Sequence, residues 1–178
     1  GNTLNDAYIH QDGSKNRATQ NQGEEEGGVF GNDADIYQDG DENRATQEQW
    51  GDLNTAMIDQ DGYDNKADQT QNGSGDSADI YQTNDSTSVG NTASQSQSGN
   101  TNNYAYINQV GSGNNADQVQ GLSDNKAFIY QDGDGNNATQ DQYSNYNNAW
   151  TIQFGHNNQA SVVQDVGDAN NALQFQQG

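Results

Sequence analysis

From Asn5 the sequence reads Asn5-x-Ala7-x-Ile9-x-Gln11-x-Gly13-x-x-Asn16-x-Ala18-x-Gln20-x-Gln22, and that string keeps returning. It restarts at Asn32, with Ala34, Ile36, Gln38, Gly40, Asn43, Ala45, Gln47 and Gln49. A further copy starts at Asn54, with Ala56, Ile58, Gln60, Gly62, Asn65, Ala67, Gln69 and Gln71. From Asp76 the string runs through Ala78, Ile80 and Gln82, then resumes at Asn91. Copies follow from Asn103 (Ile107, Gln109) and Asn125 (Ile129, Gln131), then a worn copy from Asn147 and a half copy over 170–176. The undisturbed unit is 22 residues, as from Asn32 to Asn54, and it divides into two related halves. Fifteen of the sixteen alanines fall in one slot of the half-repeat. A period of this kind means stacked, equivalent supersecondary units.

Within each half the marked residues alternate, and a period of two places them on one face of a β-strand. The intervening x-Gly-x-x-Asn supplies a tight corner, where glycine and asparagine are expected to take left-handed backbone. One repeat is therefore strand-turn-strand-turn, a single rung of a flattened coil. The expected fold is all-β: a two-sheet parallel β-solenoid of about 7.5 rungs, stacked about 4.8 Å apart. One sheet takes the Ala-x-Ile-x-Gln strands and the other the Ala-x-Gln-x-Gln strands. Residues 1–4 form a short lead and 5–178 a single solenoid, with inserted turns at 23–31 and 83–90.

Composition tests this reading, because only 28% of residues are hydrophobic and the formal charge is -21. Such a profile normally leaves too little apolar surface to offset chain entropy. The register of the repeat answers the objection. Ile9, Ile36, Ile58, Ile80, Ile107 and Ile129 make an inward apolar spine, and the alanine column lets the sheets approach. Inward Gln and Asn satisfy one another as ladders of identical amides along the axis. The absence of proline suits an unbroken hydrogen-bonded ladder. Thr151 and Val162 replace the expected Ile and Gln in the seventh copy.

Outward positions carry Tyr8, Tyr37, Tyr81, Tyr106, Phe128 and Tyr130, which either stiffen a solvated face or bundle filaments. A solenoid exposes an unpaired strand edge at each end, and monomeric solenoids protect those edges with atypical caps. Here the pattern starts by Asn5 and continues to Gln176, so no capping helix is expected. Pairing the last rung with the first rung of another copy does not close, and yields a filament.

The spacing Gln-x-Gly-x-x-Asn-x-Ala-x-x-x-Gln, as in Gln38 to Gln49, resembles the curlin repeat of bacterial curli. The leading serine of that family is here Asn5, Asn32, Asn54 or Asp76, and an often apolar slot holds Gln20, Gln47 and Gln69. The resemblance implies a secreted major curli subunit that self-assembles head-to-tail into extracellular amyloid fibres of a biofilm matrix. It further implies a minor nucleator subunit and an outer-membrane secretion pore as partners. Gly1-Asn2-Thr3-Leu4 reads as mature protein, without a signal peptide or the family's N-terminal export segment.

No catalytic, cofactor or metal residues are expected, and the chain reads as a non-enzyme. It has no Cys, and His10 and His156 lie at opposite ends of the coil. Asp-Gly turns at Asp12, Asp39, Asp61 and Asp132 lack the spacing of calcium-binding β-helix repeats. With 26 acids against 5 bases, nucleic acid is a disfavoured partner, and no apolar run is long enough for membrane insertion. The alternative reading is a monomeric β-solenoid adhesin or ice-binding protein. The threonine array that ice binding would favour (Thr19, Thr46, Thr139) is broken by Asp68, Ser94 and Asp117.

Overall fold

The computed structural model describes residues 4–23, 31–85, 87–99 and 101–178. Its strands alternate between two sheets. The first sheet holds eight strands in sequence order: β1 (Asp6–Gln11), β3 (Asp33–Asp41), β5 (Thr55–Tyr63), β7 (Ser77–Thr83), β9 (Tyr104–Val110), β11 (Lys126–Asp134), β13 (Asn148–His156) and β15 (Asn171–Gln177). The second holds seven: β2 (Arg17–Gly23), β4 (Arg44–Asp52), β6 (Lys66–Ser74), β8 (Thr92–Gln97), β10 (Asn115–Gln120), β12 (Asn137–Gln142) and β14 (Gln159–Gln164). The described pairings between these strands are parallel, so the chain is an all-β, two-sheet solenoid.

The register is that of the repeat. Ala34 pairs with Ala56, Ile36 with Ile58 and Gln38 with Gln60 in one sheet. Ala45 pairs with Ala67, Gln47 with Gln69 and Gln49 with Gln71 in the other. Slipping any strand by one residue would turn its alanine and amides outward, which is why a period of two specifies the stacking so firmly. Ile36, Ile58, Ile80, Ile107 and Ile129 have no exposed surface, and they cluster with Ala45, Ala67, Ala93, Ala116 and Ala138 of the facing sheet. Ile9 belongs to the same column but stays 44% exposed, because β1 is an edge strand.

The corners differ from expectation in one respect. Gly40 has φ +98°, and a Cβ there would lie 2.2 Å from the Gly62 carbonyl oxygen of the next rung. The second left-handed residue is not the turn asparagine but the residue before it: Lys15 (φ 59°), Glu42 (φ 60°) and Asp64 (φ 52°). The asparagine does its work through its side chain instead. Asn43 accepts the Asn65 backbone N–H on Oδ1 at 3.0 Å and donates Nδ2 to the carbonyls of Asp39 and Gly62. That locks each corner to the one above.

Within the 83–90 insertion, Asn84 takes the place of a corner glycine. Its Oδ1 accepts from Tyr63 N–H at 2.8 Å and from Asn65 Nδ2 at 2.9 Å. Of the 23–31 insertion, residues 24–30 lie outside the described residues.

Candidate assembly surface

The interior consists largely of amides, and each is held three ways. In the seven-stranded sheet, Gln47 Nε2 donates to Gln69 Oε1 at 3.0 Å and reaches across the core to the Asp35 carbonyl at 2.8 Å. Gln49 does likewise with Gln71 and the Asp33 carbonyl. In the eight-stranded sheet, Gln38 donates to Gln60, Gln60 to Gln82, Gln82 to Gln109, and Gln109 to Gln131. Gln60 and Gln82 also bond the Arg44 and Lys66 carbonyls of the facing sheet. The amides thus stitch rung to rung and sheet to sheet, which a purely apolar core cannot do. Leaving one such buried group unpaired would cost about 1–3 kcal/mol.

The ladders have a polarity. In every described link between glutamines, Nε2 of the earlier rung donates to Oε1 of the later one. The β1–β2 edge therefore presents acceptors: Gln11, Gln20 and Gln22 donate to Gln38, Gln47 and Gln49, while their own Oε1 atoms receive no bond among the described residues. The β14–β15 edge presents donors. Gln164, Gln174 and Gln176 donate only to the backbone carbonyls of Asn148, Ser161 and Gln159. The asparagine ladder is polar in the opposite sense, since Asn32 N–H donates back to Asn5 Oδ1 and Asn158 N–H to Asn136 Oδ1. The two ends of the coil are complementary in hydrogen bonding.

The residue ladders expected from the repeat take up these places: the alanines, glutamines and turn asparagines from Asn32 to Asn147 are buried. Those of the first rung, β1, β2 and the corner between them (Ala7, Ile9, Gln11, Gly13, Asn16, Ala18, Gln20, Gln22), line the same columns but are exposed or half-buried at the edge. Two features depart from the repeat. Asp76 stands in the asparagine column, buried, and its carboxyl is pushed up to about 6 by burial, against which bonds from Asn103 act. Gln140 finds no glutamine below it, because Val162 fills that slot, and donates instead to the Thr151 hydroxyl of the facing sheet at 3.0 Å. The worn columns at Thr151 and Val162 were visible in the sequence; that they are wired together was not.

Two overlapping stretches, 31–62 and 51–83, match the family model of the curlin associated repeat. Residues 31–83 carry the curlin associated repeat. The curlin-repeat family is structural and non-enzymatic. No curated protein and no solved structure matches the chain.

The outer faces of the chain carry the remaining chemistry. Tyr8 lies 5.5 Å from Tyr37, Tyr81 lies 5.6 Å from Tyr106, and Phe128 stacks on Trp150 at 5.4 Å with an interplanar angle of 1°. These are ring-to-ring contacts along the axis, which add to strand pairing. Tyr104 donates its hydroxyl to Asp79 at 3.1 Å, and burial together with that carboxylate pushes the phenol up to about 12. Burial first, then Asp61 and Asp39, raises the Asp59 carboxyl above its ordinary value. Lys15 pairs with Glu42 at 2.5 Å and Lys66 with Asp64 at 3.2 Å. Among the described residues, no group of three or more His, Cys, Asp or Glu is placed to hold a metal ion.

Proposed function

We propose that this chain is the structural subunit of a curli-like extracellular amyloid fibre, assembling head-to-tail with copies of itself as part of a biofilm matrix that serves adhesion and surface colonisation. One observation carries the reading. The glutamine ladders leave acceptors at the β1–β2 edge and donors at the β14–β15 edge, so that a second copy offers each edge what it lacks. Unpaired parallel strand edges at both faces favour the same outcome. Contact between two different faces of one molecule propagates without closing. Residues 5–178 act as one unit in this reading, with the alanine, isoleucine, glutamine and asparagine columns as its working parts. The curlin repeat further suggests secretion through an outer-membrane pore and seeding by a minor nucleator subunit.

The test is incubation of the purified chain, followed by electron microscopy and fibre diffraction. Fibres with reflections near about 4.8 and 10 Å are expected. Protein that stays monomeric at high concentration would overturn the reading.

A further inference from the structure

The two sheets do not have equal numbers of strands, and the surplus strand carries the wrong residue for its column. β15 lies in the eight-stranded sheet, yet where that column has Ile36, Ile58, Ile80, Ile107 and Ile129 it has Gln174. Opposite, β14 closes the seven-stranded sheet with Val162 in a column otherwise made of Gln47, Gln69, Gln95, Gln118 and Gln140. The apolar and amide columns have changed places at this face.

We propose, building on the fibre reading, that the next copy docks here after a half-turn about the long axis, so that its β1 pairs with β14 and its β2 with β15. Each sheet of one copy then runs on as the other sheet of the next. Ile9 meets Val162 and Gln20 meets Gln174. Ala7 lies on Ala160, Gln11 on Gln164, Ala18 on Ala172 and Gln22 on Gln176. Every inward column is continued by its own chemistry. The chain reverses at each corner, so a half-turn also brings β1 parallel to β14.

Docking without the half-turn fails on two counts. Placing β1 on β15 would set Ile9 against Gln174. It would also leave β14 and the incoming β2 two strand spacings apart, about 9.6 Å, beyond any N–H···O bond. The half-turn fills that level with β1.

The donor directions agree. Gln174 Nε2 is spent only on the Ser161 carbonyl at 2.8 Å, and Gln20 Oε1 has no donor among the described residues. Gln164 and Gln176 stand in the same relation to Gln11 and Gln22. Thr151 completes the exchange by giving Gln140 the acceptor that Val162 withholds. Thus the swap is accommodated inside the subunit before the interface is reached.

The chain has no cysteine, so introduced pairs report contacts cleanly. His10 and Val163 point outward and are exposed, as is Phe175. With the half-turn, His10 of one copy neighbours Val163 of the next; without it, His10 neighbours Phe175. Neighbouring positions on paired strands lie within disulfide reach. Full-length His10→Cys/Val163→Cys and His10→Cys/Phe175→Cys chains are assembled and then oxidised. A ladder of covalent multimers from the first and none from the second is expected. The reverse result, or no ladder from either set of fibres, overturns the half-turn while leaving the fibre reading intact. Absence of fibres from the unmodified chain would sink both. As a cysteine-free check, Val162→Gln restores a glutamine beneath Gln140 but sets an amide against Ile9 of the next copy. Its critical concentration for assembly should rise about tenfold, and an unchanged value would count against the swap.

Discussion

Gln140 donates its side-chain amide to the Thr151 hydroxyl at 3.0 Å, joining the two sheets at the point where the glutamine ladder meets Val162. Both residues are fully buried, so neither can turn to water. Thr151→Ile alone removes the acceptor and should destabilise the monomer by about 1–2 kcal/mol. Val162→Gln alone supplies a second acceptor and strands the threonine hydroxyl, at about 1 kcal/mol. The double change rebuilds the ordinary pair and should recover most of the loss. Chemical denaturation of the four chains gives the coupling directly; strictly additive effects would mean the two positions are not linked.

Asp76 accepts both the backbone N–H and the side-chain amide of Asn103 on one oxygen, at 2.8 and 3.2 Å, while Oδ2 has no partner among the described residues. Its carboxyl is raised to about 6 by burial. The folded chain therefore holds this proton at pH values where the unfolded chain has released it. The penalty is present above the folded value and is relieved as pH falls from about 7 toward 4. Asp76→Asn restores the column residue. It should add on the order of 2 kcal/mol at pH 7 and flatten this part of the pH dependence. Melting temperature against pH for both chains is the measurement, and identical slopes would remove Asp76 as the cause.

Gly40 and Gly167 both have positive φ, but only Gly40 faces a neighbouring rung. Gly40→Ala combines backbone strain with a clash against the Gly62 carbonyl and should cost at least about 3 kcal/mol. Gly167 has nothing within 4 Å of a built Cβ, so Gly167→Ala should cost only about 1–2 kcal/mol of conformational strain. Equal losses in urea titrations would show that rung-to-rung contact at the corner is unimportant.

Asp39 pairs with Asp61 along the stacking axis, on a chain of formal charge -21. Like charges about 5 Å apart repel even in water, and salt screens them. Elongation from preformed seeds should quicken as pH is lowered toward 4.5, as salt is raised, or as divalent cations are added. Rates that stay flat across all three series would exclude charge repulsion as the brake.

Much of this molecule was legible in the spacing of its residues. Period-two alternation put Ala34, Ile36 and Gln38 on one face, and the repeat aligned that face with Ala56, Ile58 and Gln60. Corner chemistry is less legible. Gly13, Gly40, Gly51 and Gly62 take left-handed backbone and Gly73 and Gly99 do not, while Glu42 and Asp64 share that role, because Asn43 and Asn65 hold the corner by side-chain bonds. Propensity points to asparagine at such positions and cannot tell which of two adjacent residues adopts the conformation.

The sequence by itself determined the rung, the register and the identity of each inward column, since a strand has only two faces and a repeat leaves one way to align them. What only the tertiary structure decided is how the columns meet across the core. Gln47 reaching the Asp35 carbonyl, Asp76 accepting from Asn103 on one oxygen, and Gln140 turning to Thr151 all depend on which strand faces which at what height. Distance along the chain does not encode that height. The half-rung offset of facing strands does, and it exists only once the coil has closed on itself.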